Sequence, residues 1–197
     1  MREITKTEMN IVLTFVKSPE IIYNANSVAK VIQITPMGAL KALKRLEQES
    51  ILKSKRIGNA TTYRVNVKDA YAQRYVSFIL ARSAKQANFQ VKRWITELNK
   101  IKSADVVVLF GSILYKSNPN DVDVLLLTDQ KRFSKLKQEI KEINELNVKK
   151  IHPLYQTFRD IVKNIKERDK PILSAIKGIV IRGEEKFLDI YDESRKE

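Results

Sequence analysis

The chain contains no cysteine, which excludes disulfide staples, thiolate metal centres and thiol catalysis. It has one histidine, His152, so a multi-histidine metal site is excluded, and Ser–His chemistry would depend on that single ring. Five glycines and five prolines among 197 residues rule out collagen-like and linker-rich classes, and make each glycine informative. No apolar run approaches the ~20 residues of a membrane span. Residues 1–20 lack the apolar block and cleavage site of a signal peptide. The expectation is a soluble, cytoplasmic protein with no membrane partner.

What is present points to one large or two small domains, at roughly 100–200 residues each. Apolar residues make up 43% of the chain, enough for a packed core, and the 30% that are charged are dispersed rather than blocked. The net charge of +14 is unevenly placed. Residues 1–100 carry 18 Lys+Arg against 7 Asp+Glu, and residues 101–197 carry 19 against 16. A basic first half favours a polyanion, nucleic acid ahead of an anionic membrane surface. A generally lysine-rich surface is the plainer alternative.

Residues 7–17 read as a helix, with Thr7 as cap and Ile11, Val12, Phe15 and Val16 on one face. A second helix starts near Ala25–Ser27. A third starts at Thr35-Pro36, where threonine caps and proline occupies a position whose N–H is not needed. Leu40, Leu43 and Leu46 form its apolar stripe, with Lys41, Lys44 and Arg45 largely opposite. Two β-prone runs, Ile51–Arg56 and Thr61–Val65, flank Gly58-Asn59 and read as a hairpin. Three helices and a basic hairpin resemble the winged helix-turn-helix family, most closely from Ser27-Val28-Ala29 through Thr35 and Leu40–Leu46 to Tyr63-Arg64-Val65. The resemblance implies a recognition helix entering the major groove of double-stranded DNA. Met37, Gly38 and Lys41 would approach bases, Lys44 would approach phosphate, and Lys55, Arg56 and Arg64 would reach flanking phosphates. Thr35 and Arg45 complete the expected DNA-binding set. The alternative is a winged helix used for protein contacts, with a merely solvated basic face.

Residues 69–100 are helical by pattern, as one helix or as two joined near 84–88. Their aromatic residues, Tyr71, Tyr75, Phe78, Phe89 and Trp94, suit a packing face between domains or between the subunits of a homodimer more than a ligand box.

Asp105–Phe110 and Val124–Leu127 are apolar runs that suit buried strands. Between them stand Gly111-Ser112 and Asp121-Val122-Asp123. Strand alternation places Asp121 and Asp123 on one face, where two carboxylates suit a hard divalent cation. Gly111 permits close backbone approach and Ser112 can hold a phosphate, so metal-assisted phosphoryl transfer is the chemistry expected. The constellation resembles the DNA polymerase beta-like nucleotidyltransferase superfamily, nearest its small "minimal" members, over roughly residues 90–190. The resemblance implies that Gly111 and Ser112 bind a nucleoside triphosphate. It implies that Asp121 and Asp123 hold Mg2+ (or Mn2+) and are catalytic, and that a nucleoside monophosphate moves to a hydroxyl of a protein or RNA acceptor, as within a toxin–antitoxin pair. Three features depart from the family. Ile113-Leu114-Tyr115-Lys116 replaces an Arg-rich, Gly-containing stretch, and the spacer is short. The strand expected to carry a third carboxylate, Val148–Gln156, has no acid and places His152 there. His152 is then a nucleotide-binding polar group, a replacement ligand or base, or an ordinary strand residue before Pro153.

The fold class expected is α+β: a winged helix domain over 1–68, a helical connector or dimerisation segment over 69–100, and a nucleotidyltransferase-like mixed sheet with flanking helices over 101–190, ending in a frayed charged tail. Two functions compete, ahead of a third in which the winged helix recognises RNA for a nucleic-acid-modifying enzyme. One is a DNA-binding nucleotidyltransferase. The other is a winged-helix transcriptional regulator whose transferase-like domain senses nucleotide or dimerises.

Overall fold

A computed structural model describes residues 3–116 and 118–196, and its chain divides into two compact units between Ile79 and Leu80. In the first unit, helix α1 (Lys6–Val16) is capped by Thr5 rather than Thr7. The Thr5 hydroxyl accepts from the Glu8 N–H at 3.2 Å, and the Glu8 carboxylate accepts from the Thr5 N–H at 2.9 Å. This box satisfies two orphan donors reciprocally, which a lone Thr7 cannot do. Strand β1 (Tyr23–Asn24) leads into α2 (Ala25–Ile32), which Asn24 caps. Helix α3 (Pro36–Gln48) begins as its sequence dictates, with the Thr35 hydroxyl accepting from the Gly38 N–H at 3.1 Å.

Strands β2 (Leu52–Ile57) and β3 (Ala60–Val65) pair antiparallel from Ile57–Ala60 back to Leu52–Val65. The two-residue turn starts at Gly58, whose φ of +57° glycine adopts without steric cost. The sheet order is β1-β3-β2, and Phe15 stacks on Tyr23 at 5.1 Å. Three helices and a three-stranded antiparallel sheet in the order α1-β1-α2-α3-β2-β3 form a winged helix.

Helix α4 (Ala70–Lys85) carries the division between the units, and α5 (Phe89–Leu98) follows in the second. The connector is therefore two helices, broken where the Asn88 side chain accepts from the Val91 N–H at 2.9 Å. Its aromatic residues do not form one face: Tyr75 and Trp94 are buried, whereas Tyr71, Phe78 and Phe89 are exposed.

The second unit runs β4 (Val106–Phe110), β5 (Val122–Leu127), α6 (Gln130–Leu146), β6 (Ile151–Gln156), α7 (Phe158–Lys166), α8 (Lys170–Ala175), β7 (Ile179–Arg182) and α9 (Glu184–Ser194). The sheet order is β6-β5-β4-β7, with β4 antiparallel to both neighbours and β5 parallel to β6. Trp94 and Leu98 of α5 and Leu136, Ile140 and Ile143 of α6 pack in one apolar cluster with Val107, Leu109, Val124 and Leu126. Arg132 ties this layer to the sheet through a bidentate pair with Asp105, at 2.7 and 2.5 Å. The same guanidinium holds the Asp129 carboxyl below its usual range. The tail expected to fray is α9 instead, because Phe187, Leu188, Ile190 and Tyr191 are buried. The class is α+β.

The free edge of β6 is blunted at two positions. Val122 N–H donates to the Lys150 carbonyl and Thr128 N–H to that of Gln156, so alternation turns Ile151 and Pro153 outward. The Ile151 N–H donates to the Asn144 side chain at 2.7 Å, and Pro153 has no N–H to offer.

Burial pushes the Lys17 ammonium, at the end of α1, down to about 8. The folded state then binds fewer protons than the unfolded chain between pH 8 and 10.5, so its stability rises with pH there. Buried Tyr23 and Tyr63 are pushed the other way and oppose this rise above about pH 10. Urea midpoints should therefore climb from pH 8 to 10 in the native chain and stay flat in Lys17→Met. A parallel climb in both would show that another group is responsible.

Candidate functional site

The second unit builds its site around Asp123. Antiparallel register places Phe110 of β4 opposite Asp123 of β5, and parallel register places His152 of β6 on its other side. The chain leaves β4 at Gly111, with φ of +78°, and enters a single 3₁₀ turn, Gly111–Leu114, anchored by buried Ile113. A Cβ at Gly111 would lie 2.0 Å from Oδ2 of Asp123, so no other residue fits there without displacing that carboxylate. Oδ1 of Asp123 lies 3.4 Å from Nδ1 of His152. The Asp123 side chain is 29% exposed and that of His152 is 81% exposed. Gly111, Asp123 and His152 thus form a row across three strand ends. Ser112 lies in the turn beside it, and its carbonyl accepts from the N–H groups of Tyr115 and Lys116.

Asp121 is exposed and stands one residue before β5 begins, and the order exposed Asp121, buried Val122, part-exposed Asp123 carries the strand's alternation out to it. The preceding loop is held by Lys149, whose ammonium donates to the Asn118 side chain at 2.8 Å and to the Pro119 carbonyl. Among the described residues, no group of three His, Asp or Glu side chains converges to hold a metal ion. Mg2+ and Mn2+ favour oxygen donors, and the residue in register beside Asp123 offers an imidazole. Mg2+ is commonly held by one or two carboxylates together with substrate phosphates, so the carboxylates of Asp121 and Asp123 suit an ion that arrives with a triphosphate more than one caged by the protein alone.

The first unit carries a separate surface. Met37, Lys41 and Lys44 are exposed at i, i+4 and i+7 of α3, a single outer stripe, with Met37 73% exposed. Arg45, at i+4 from Lys41, borders the stripe part-buried, and its guanidinium lies 3.8 Å from the buried Glu8 carboxylate, which ties α3 to α1. The Thr35 hydroxyl is engaged in the cap. In the hairpin, Lys53 pairs with Arg64 and Lys55 with Thr62, so Lys53, Lys55 and Arg64 share one face. Arg56 belongs to the other face, and its Nε donates to the Gly58 carbonyl at 3.2 Å. Lys53 was missed in the sequence, although alternation with Lys55 signals it.

No protein-family model matches the chain, and no curated protein matches it. The solved structures it is similar to include those of ZitR and AdcR. A variant of ZitR from Lactococcus lactis shares 20% identity at a TM-score of 0.37, over 51% of this chain and 64% of that one. The adhesin competence repressor AdcR from Streptococcus pyogenes shares 16% at 0.37, over 51% and 69%. Wild-type ZitR in complex with DNA shares 18% at 0.30, over 50% and 72%. The chain thus spans less than two thirds of the first of these. Likeness at this level carries no functional information. No helix among the described residues is long and apolar enough to cross a membrane.

If Gly111 is required by contact with Asp123, the two positions must couple. Gly111→Ala should cost about 1–3 kcal/mol by forcing a left-handed alanine against the carboxylate. In an Asp123→Ala background the contact part of that cost should vanish, leaving the backbone part. Additive losses in urea unfolding of the two singles and the double would refute the contact.

Proposed function

We propose that the protein is a regulator that binds double-stranded DNA through its winged helix, and that its second unit is a nucleotidyltransferase-like module that binds a nucleotide. The observation that carries this reading is the outer stripe of α3, in which Met37, Lys41 and Lys44 project together while Ala39, Ala42, Leu43 and Leu46 are buried. A helix so divided can offer its polar side to groove edges and its cations to phosphates. The hairpin face of Lys53, Lys55 and Arg64 adds three cations suited to a neighbouring backbone. The nucleotide reading rests on the Gly111–Asp123–His152 row and the Gly111-Ser112 bend. A two-copy assembly on a two-fold DNA site belongs to the same reading, with Tyr71 and Phe78 of α4 as exposed apolar surface for it.

Anisotropy titrations of a labelled duplex at several salt concentrations test the DNA reading. Affinity should fall steeply with salt, and Lys41→Gln with Lys44→Gln should flatten the log–log slope by about two. An unchanged slope would remove α3 from the interface.

A second reading, transfer of a nucleoside monophosphate to a protein or RNA hydroxyl with Mg2+ or Mn2+, is favoured by the enforced contact between the glycine bend and Asp123. It predicts label passing from a nucleoside triphosphate to added protein or RNA, and its loss in Asp121→Asn. Equal transfer by that variant would defeat it.

A further inference from the structure

An imidazole beside Asp123 brings something a third carboxylate would not: a nitrogen nucleophile. We propose that Nε2 of His152 attacks the α-phosphorus of a nucleoside triphosphate, so that the protein carries a nucleotidyl group on this histidine. The inference rests on the reading that the second unit binds a nucleotide.

Asp123 sets up the ring. Its Oδ1 is 3.4 Å from Nδ1 of His152, and an anionic oxygen there favours the tautomer with the proton on Nδ1. Nε2 then keeps its lone pair. The His152 side chain is 81% exposed, so that lone pair is open to a large ligand. The carboxylate has little room to turn away. Oδ2 abuts Gly111, and strand register holds Asp123 on both sides. Asp123 is thus a positioning residue, an arrangement in which a third group orients the nucleophile. On the far side of Asp123, the bend at Gly111 has no side chain to obstruct an approaching triphosphate. Among the described residues no three acidic or histidine side chains converge there, so Mg2+ would arrive with the triphosphate, as that ion commonly does.

The step balances without a further reagent. The Nε2 lone pair forms the N–P bond. The bond from the α-phosphorus to the α–β bridging oxygen breaks, and its electron pair leaves on pyrophosphate. Nδ1 keeps its proton, and the new positive charge of the ring faces the Asp123 carboxylate. Water or another hydroxyl then takes the nucleotidyl group, the imidazole departs neutral, and the hydroxyl proton passes to solvent.

The full chain, incubated with Mg2+ and each of the four ribonucleoside triphosphates labelled at the α- or γ-phosphate, tests the proposal after denaturing electrophoresis. Label should be retained from the α-position only, survive alkali and be lost in acid, as a phosphoramidate requires. It should vanish in both His152→Gln and His152→Asn, each shown to be folded by its melting curve. Asp123→Asn should slow labelling at least tenfold when measured at saturating nucleotide, with its melting curve unchanged. A role in binding alone would leave the rate at saturation intact, and a purely structural role would move the melting curve. Nucleotide bound at equilibrium with no α-label retained would overturn the covalent step and leave the binding reading standing. No nucleotide bound at all would overturn both. Label persisting in the His152 variants, or an alkali-labile bond, would assign it to another residue and overturn the proposal.

Discussion

Strand β5 is held in register from both sides, and the geometry around Asp123 follows from that. From Val124 to Leu127 every side chain is buried, whichever face of the sheet it points to. A slip of one residue would turn each of these positions to the opposite face and drive Asp123 toward apolar packing. The antiparallel pairing with β4 brings Gly111 to one side of Asp123, and the parallel pairing with β6 brings His152 to the other. The site is therefore an outcome of core packing several residues away. Its polar members stand where the strands emerge from the apolar layer.

The winged helix uses one periodicity for two purposes. Buried Ala39, Ala42, Leu43 and Leu46 fasten α3, and the same period leaves Met37, Lys41 and Lys44 outside. The Glu8–Arg45 pair adds a polar tie between α1 and α3. Glu8 serves twice, since its carboxylate also closes the capping box of α1. A single buried acid thus closes the start of one helix and adds a contact to another.

Local chemistry made much of the fold legible. Thr35-Pro36 announced α3, Gly58-Asn59 announced the hairpin turn, and the apolar runs before Gly111 and after Asp121 announced β4 and β5. What escaped notice depends on distant partners. Strand β1 is two residues long, too short for alternation, and exists because Tyr23 meets Tyr63. Arg45 reads as another surface cation until α1 brings Glu8 beneath it. The charged tail hides an apolar face, because Phe187, Leu188, Ile190 and Tyr191 are spaced among acids and lysines. Asp121 and Asp123 look equivalent in sequence, yet the strand begins between them and only the second is bracketed by neighbours. The family resemblance puts His152 where a third acid is expected, but its 3.4 Å approach to Asp123 depends on sheet register.

The β6 flank of the second unit has its own consequence. An open strand edge is a template on which another chain can continue a sheet, whether a partner, a swapped segment or a misfolded copy. Asn144 and Pro153 remove two successive outward donors from that template. Growth of the sheet by strand addition is thus disfavoured over the first half of this edge. Over that stretch a partner would have to be held by side chains and helices meeting as finished surfaces, with little help from backbone pairing.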